Sequence, residues 1–404
     1  MNQHTAQRNQ PAQRLQALNE SQTLAMARRS REMKAAGIDV INLSIGEPDF
    51  DTPDFVKDAG IRAIQQNKTH YPPVPGIPEL RAAIAEKFKR DNHITCTPDM
   101  VVVSTGAKQS IANVVLSTIN PGDEVIIPTP YWVSYLELVK MAGGIPVFIK
   151  SGVHNNYKIT ADDLKAALTE KTRMLIFSSP CNPSGSVYSE TEIRSLASVL
   201  QSHPDVLVVS DEIYEYINYT GNHFSMGAIP EVAAQVITVN GVSKGFAMTG
   251  WRIGYICAAP WIAKACEKMQ GQFTSGTSTI SQYAALAAVE AGKGPVMPMR
   301  EEFCTRRELV LQLINDIPGL HCNIPDGAFY VFPDVRSFFG KSCDGMHISN
   351  AADLCNFLLE KGHVALVSGD AFGDDNCLRF SYACAEKDIR EAIRRMKESL
   401  SMLR

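Results

Sequence analysis

The sequence predicts an α/β fold: a doubly wound, mainly parallel sheet followed by a smaller α+β region. Three observations carry that reading. From about residue 99, short and nearly continuous apolar runs alternate with helix-like stretches, the pattern of strands buried on both faces of a helix-covered sheet. At 404 residues the chain is long for one core, so two domains or one large domain with an appendage are expected. After about residue 295 the alternation gives way to a long helical stretch and then short mixed elements, which reads as α+β.

The elements follow in order. The first residues (MNQHTAQRNQPAQRLQ) are polar, with no apolar stretch of the signal-peptide kind, and are expected to form a frayed arm. A helix is predicted over 22–36. A strand over 39–43 stands outside the main alternation and is expected to pack with the C-terminal region. Strands are predicted at 100–104 (MVVVS), 124–128 (EVIIP), 174–178 (MLIFS), 206–210 (VLVVS), 236–239 (VITV) and 253–258. Between them Thr160 can cap ADDLKAAL, and Ser189 with Glu192 makes a capping box ahead of Ile193, Leu196 and Leu200. Later come a helix over 299–315, a strand over 328–332, a helix over 351–361, strands over 364–367 and 378–381, and an amphipathic helix from Glu386.

Hydrophobic residues at 45% and charged residues at 20% are ordinary for a globular protein. A net charge of −4 argues against nucleic acid as the main partner, which calls for a basic face. No run approaches the roughly 18 apolar residues of a membrane span. The ten cysteines form no CxxC pair and several sit in apolar runs. They read as small buried hydrophobes in a reducing compartment rather than a disulfide framework or a zinc site. The cytoplasm is the expected location, and no metal is expected.

Open α/β sheets bind ligands beyond the carboxyl ends of their strands, so the residues after each strand matter most. Gly106, Ala107 and Lys108 follow the first, Trp132 the second and Asn182 the third. Asp211 and Tyr214 follow the fourth, and Ser243 and Lys244 the fifth, with Arg252 eight residues beyond Lys244. Each has a plain structural alternative. Gly106 and Asn182 serve as turns, Asp211 as a helix cap, Tyr214 and Trp132 as core, and Lys244 as a lysine reaching solvent past apolar neighbours. Their joint arrival at one sheet edge favours a site.

Together they suit one kind of ligand. The amides of Ala107 and Lys108 at a helix start, with Arg252, suit a phosphate. Asp211 suits a ring nitrogen kept protonated, Tyr214 and Asn182 can hydrogen-bond a phenolic oxygen, and Trp132 offers a flat face. A lysine in low-dielectric surroundings sheds its proton more easily and attacks an aldehyde. Phosphate, pyridine nitrogen, ring hydroxyl and aldehyde describe pyridoxal phosphate.

At these residues the sequence resembles the class I/II aminotransferases of fold type I, and within them the bacterial aspartate aminotransferase branch. The matching stretches are LSIGEPDFDTP (43–53), YPPVPGIPELR (71–81), STGAKQ (104–109), PTPYWVSY (128–135), SPCNPSG (179–185), SDEIYE (210–215), SKGFAMTGWRIGY (243–255), PDGAFY (325–330) and LRFSYA (378–383). The resemblance implies a large α/β domain (53–299) with a mainly parallel seven-stranded sheet between helices. It also implies a smaller α+β domain (21–52 and 300–404) and a flexible N-terminal arm (1–20).

By the same resemblance Lys244 would hold the cofactor as a Schiff base and then act as base and acid of the proton shift. Asp211 would keep the ring nitrogen protonated, Tyr214 and Asn182 would bind the ring hydroxyl, and Trp132 would stack on the ring. Gly106, Ala107, Lys108, Ser243 and Arg252 would surround the phosphate. Tyr71 would reach the phosphate of a neighbouring subunit, so a homodimer with shared sites is implied. Arg379, helped by Gly46 and Asn182, would clamp the substrate α-carboxylate, while Lys108 and Thr23 would meet the distal carboxylate of aspartate. The implied activity moves the amino group of L-aspartate to 2-oxoglutarate by a ping-pong route. Prephenate or aromatic substrates, or a C–S lyase activity, are the alternatives. Three positions depart from the family pattern: Gly241 where many members carry a phosphate-binding serine, Cys181 where asparagine is common, and Ser368 at a usual proline position.

Overall fold

The computed structural model describes residues 11–20 and 22–404. The arm expected at 1–20 thus falls partly outside the described residues, as does residue 21. Within 11–20 there is one helical turn, Gln13–Gln16, and the Asn19 backbone N–H donates to Glu137 Oε2 at 3.1 Å.

Seven strands form the main sheet: β1 (Val101–Ser104), β2 (Glu124–Pro128), β3 (Ile145–Ile149), β4 (Thr172–Ser178), β5 (Leu207–Asp211), β6 (Val236–Gly241) and β7 (Gly254–Cys257). Their order is β1-β7-β6-β5-β4-β2-β3. Only β7 runs antiparallel to its neighbours, β1 and β6; the other pairs are parallel. The mainly parallel seven-stranded sheet agrees with expectation. The strand that the apolar pattern did not reveal is β3. It lies at the sheet edge, Ile145 and Phe148 are exposed, and Pro146 is tolerated there because an edge needs no ladder donor on its outer side.

Successive residues of one strand enter opposite layers. Met174 and Ile176 of β4 join Ile111, Val114 and Ile262, which come from helices Ala107–Thr118 and Pro260–Phe273. Leu175 and Phe177 join Ile193, Leu196 and Leu200 of helix Glu190–Gln201. Each such side chain contributes about 1.5–3 kcal/mol when fully buried, and burial on both faces is why the strand reads as a continuous apolar run. The helix starts are also as predicted. Ser189 Oγ accepts from the Glu192 N–H while the Glu192 carboxylate accepts from the Ser189 N–H at 2.7 Å, and Thr160 with Asp163 repeats the arrangement.

In the C-terminal region Leu378–Ser381 lies between Val367–Ser368 and Tyr330–Val331 in an antiparallel sheet. The strand predicted over 364–367 is split at Leu366, and its first half, Val364–Ala365, pairs in parallel with Ile41–Asn42. Helices Met297–Asn315, Ala351–Gly362 and Glu386–Ser401 supply Phe303, Phe357 and Ile389 to a core shared with Phe329 and Phe380. Ser368 is buried, and its hydroxyl has no partner among the described residues. No helix among the described residues is long and apolar enough to cross a membrane.

Candidate active site

A cleft of about 400 Å³ opens beyond the carboxyl ends of the parallel strands. Ala107, Lys108, Trp132, Asn182, Asp211, Tyr214, Ser243, Lys244 and Arg252 line it, joined by Gly46, Thr23 and Arg379 from the chain termini. Two of the expected residues do not line this cleft. Gly106 sits just behind it as the N-cap of helix Ala107–Thr118. Tyr71 lies outside, 94% exposed.

Lys244 follows β6 and is half-buried. Its Nζ donates to Gly46 O at 2.5 Å and lies 6.0 Å from the centre of the Tyr214 ring. Burial lowers the ammonium from 10.5 to about 8, opposed by Glu47 and assisted by the Arg379 and Arg252 charges. Asp211 ends β5 and is buried. Tyr135 donates its hydroxyl to Oδ2 at 2.7 Å, and the Ile213 N–H donates to Oδ1 at 3.2 Å. Burial nevertheless pushes the carboxyl up from 3.8 to about 6, a cost that a cation placed beside it would reverse. The adjacent Glu212 serves a different environment: it accepts from Ser210, Ser225 and Asn92 and pairs with His223.

The helix start can cradle an anion. First-turn amides have no carbonyl partner within their own helix, and the first two residues of this one, Ala107 and Lys108, line the cleft. Gly106 has φ +83°, and a side chain there would collide with the Arg252 guanidinium. Arg252 is held by its Nη1 donating to Thr249 O at 2.9 Å. Behind the cradle Gly254 touches the helix start so closely that a Cβ would collide with the Gly106 and Ala107 backbone. Gly254→Ala is therefore expected to cost about 2 kcal/mol of stability by overpacking, measured as a lowered urea midpoint. Gly241 pairs with Gly254, and its own Cβ would lie 2.8 Å from Ile253 O. The close approach of β6 and β7 accounts for glycine where a serine is common. Cys181 is buried, its thiol directed at Pro130 O at 3.6 Å.

Arg379 comes from the middle strand of the C-terminal sheet and is 2% exposed. Its Nη1 donates to Asn182 Oδ1 at 3.0 Å and its Nη2 to Ser44 O at 2.6 Å. The guanidinium lies 4.7 Å from the Tyr330 ring centre and 4.9 Å from that of Phe372. Nε has no partner, and no carboxylate pairs with the side chain among the described residues. Burial works against its charge. A buried cation without an acid is costly, and here it faces an open cleft able to admit one. At the mouth Lys108 is exposed, with Nζ 5.2 Å from the Trp132 ring centre; desolvation and then the Arg252 charge hold its pKa below the usual lysine value.

Sequence reasoning did not single out Tyr135, which holds Asp211, or Tyr330, whose hydroxyl meets that of Tyr214 at 2.8 Å. Both close stretches already noted, PTPYWVSY and PDGAFY. The terminal tyrosine was the available signal, but its partner lies far away in the chain.

The family "Aminotransferase class I and II" matches residues 38–396. An aspartate/prephenate aminotransferase of Nitrosomonas europaea is 44% identical over 394 residues, covering 96% of this chain and 99% of that one. A bifunctional aspartate aminotransferase and glutamate/aspartate-prephenate aminotransferase of Petunia hybrida is 45% identical over 392 residues, 96% of this chain and 82% of its own. Among solved structures, the aspartate aminotransferase of Rhizobium meliloti superposes with a TM-score of 0.94 at 42% identity, covering 98% of this chain and all of that one (100%). That of Thermus thermophilus with maleate gives 0.91 at 39% identity, covering 97% of this chain and 100% of its own. The agreement extends over nearly the full length in sequence and in fold, and the chain belongs to the class I and II aminotransferases.

Proposed function

We propose that this chain is a pyridoxal phosphate-dependent aminotransferase that moves the amino group of L-aspartate to 2-oxoglutarate, forming oxaloacetate and L-glutamate in two half-reactions. The observation that carries the reading is one cleft holding an amine of lowered pKa, a buried carboxylate of raised pKa and a buried guanidinium without an acid partner. The residues fit the cofactor. The raised Asp211 carboxyl calls for a cation such as a protonated ring nitrogen, and the helix start at Ala107 and Lys108 beside Arg252 suits a phosphate. Bound pyridoxal phosphate supplies an aldehyde for an amine and a ring that draws electrons from the substrate α-carbon.

The chain's own groups supply the rest. Lys244 Nζ would be the amine for that aldehyde and, when not so engaged, the group that would take and return the substrate α-proton. Asp211, fixed by Tyr135, would hold the ring nitrogen's proton in place. Tyr214 and Asn182 would donate to the ring hydroxyl oxygen, Trp132 would offer its face to the ring, and Ser243, Arg252 and the amides of the helix start would hold the phosphate. Arg379 receives the α-carboxylate in a planar fork, beside Gly46. Tyr71, outside its own cleft, fits a homodimer in which it serves the partner's. A cytoplasmic location and the division into domains 53–299 and 21–52 with 300–404 belong to the same reading.

Aspartate rests on Lys108 and Thr23, which give the cleft wall a cation and a hydroxyl for a second carboxylate. Maleate, the dicarboxylate named with the Thermus thermophilus structure, supports this choice. Prephenate as acceptor is the second reading, favoured by the names of the Nitrosomonas and Petunia relatives; direct assay of prephenate against 2-oxoglutarate separates the two. The experiment for the main reading is a visible spectrum of the holoenzyme with L-aspartate and no oxo acid. Loss of the yellow band, and its return with 2-oxoglutarate, is the expected result. A yellow protein indifferent to aspartate overturns the substrate. Lys108→Ala is expected to lower kcat/KM for aspartate by about 10- to 100-fold, the worth of one hydrogen bond to a charged group. Alanine as amino donor should change by less than about twofold, because it lacks the distal carboxylate.

A further inference from the structure

We propose that Cys96 and Cys257 form a redox pair that closes to a disulfide when the protein meets a hydroperoxide. The two sulfurs lie 2.6 Å apart, about 0.6 Å beyond a disulfide bond. None of the remaining cysteines hydrogen-bonds to a second sulfur among the described residues. The backbone already holds the pair together. Cys257 ends β7 in register with Val101 of β1, and Cys96 stands in the segment that leads into β1 through the turn Pro98–Met100. No hinge has to move for the bond to form.

The two thiols are unequal in the way that such chemistry needs. Cys96 is partly exposed and Cys257 is buried at 3%. The neighbouring sulfur and burial hold Cys257 as a neutral thiol. Cys96 therefore meets the oxidant first. Its thiolate attacks one peroxide oxygen, the O–O bond breaks, and the other oxygen leaves as water after taking a proton, giving a sulfenic acid. The Cys257 sulfur attacks the Cys96 sulfur, the S–S bond forms, the S–O bond breaks, and the Cys257 proton leaves with the hydroxyl as a second water. Two thiols and one hydrogen peroxide give one disulfide and two waters.

The closed loop would run from residue 96 to residue 257 and so enclose all seven strands of the main sheet. Such a long loop restricts the unfolded chain strongly. The bond would sit three residues along β7 from Gly254, which backs the anion cradle, a distance of about 10 Å. It would therefore act as a lock on unfolding that leaves the cleft unaltered, and it does not depend on the substrate proposed above.

The test treats the holoenzyme with stoichiometric hydrogen peroxide, followed by alkylation of remaining thiols, digestion and mass spectrometry. A mass loss of 2 Da, a peptide joining Cys96 to Cys257 and a rise in Tm of about 5 °C are expected, all reversed by dithiothreitol, with turnover unchanged. Cys96→Ser and Cys257→Ala should each abolish the joined peptide and the rise in Tm; Cys96→Ser should leave the reduced enzyme's Tm and turnover as in wild type, and Cys257→Ala, which removes a buried sulfur, should lower the reduced Tm but not turnover. Recovery of Cys257 alkylated, with Cys96 alkylated or carried on to sulfinic acid, overturns the proposal. So does a joined peptide that leaves Tm unmoved, for then the pair reacts but locks nothing.

Discussion

Lys244→Ala is expected to lose turnover of aspartate with 2-oxoglutarate by at least about 10⁴-fold, since in the proposed mechanism one group is both nucleophile and proton carrier. The cleft offers no substitute. Lys108 is the other lysine that lines it, and its Nζ lies against Trp132 at the mouth. Lys244→Arg is the companion variant: it keeps the positive charge but cannot release its proton near neutral pH, so it should be as inactive as the alanine variant. Rapid-mixing absorbance with aspartate is the measurement, and retention of more than about one hundredth of wild-type rate in either variant refutes the assigned role. The fold should survive, because Nζ has Gly46 O as its one hydrogen-bond partner among the described residues.

The same substitution should leave a mark on stability. In the cofactor-free protein Lys244 titrates near 8, against 10.5 when solvated. Between those values the unfolded state binds more protons, so stability rises with pH across the window. Below 8 the cost of burying the ammonium is fully present, and above 10.5 it is gone. Asp211 slopes the other way. Its carboxyl titrates near 6 folded and 3.8 solvated, the folded state binds more protons between them, and stability falls as pH rises through that interval. Near pH 7 both costs are present together. Lys244→Ala should flatten the alkaline slope of Tm against pH and leave the acidic slope standing.

These costs explain what the sequence could and could not reveal. Strands β2, β4, β5 and β6 are buried on both faces and announce themselves as apolar runs, and the polar residues after them are then found by position alone. Strand β3 is half-exposed and carries Pro146, so its pattern resembles a connection. The pairing of Tyr135 with Asp211 spans 76 residues, and no periodicity encodes it. Cys257 reads correctly as a buried hydrophobe, but its nearness to Cys96 depends on β1 lying beside β7. Arg379 was reached through the LRFSYA resemblance, not through any physical signal. Its burial and lack of an acid partner appear only once Val367, Tyr330 and Phe372 close around it.

Arg379→Leu separates function from stability most sharply. Removing the receiver of a buried, hydrogen-bonded carboxylate costs about 2–5 kcal/mol, so kcat/KM should fall by about 10³-fold. The loss should be similar for aspartate, glutamate and alanine, since all carry the α-carboxylate, whereas Lys108→Ala discriminates among them. Stability should move little or rise. The wild-type protein buries this cation against Tyr330 and Phe372 without an acid partner, and an apolar side chain in such surroundings removes that burden. Of the two acceptors it leaves, Asn182 Oδ1 belongs to a residue that lines the cleft, whereas the buried Ser44 O loses its partner at a cost of about 1–3 kcal/mol that offsets this relief. Thermal unfolding and steady-state kinetics on the same preparation decide the matter. A residue kept for the fold would lower Tm and spare the catalytic constants of whatever remained folded. One kept to receive a carboxylate would leave Tm in place and remove the activity, and the proposed role of Arg379 predicts the second outcome.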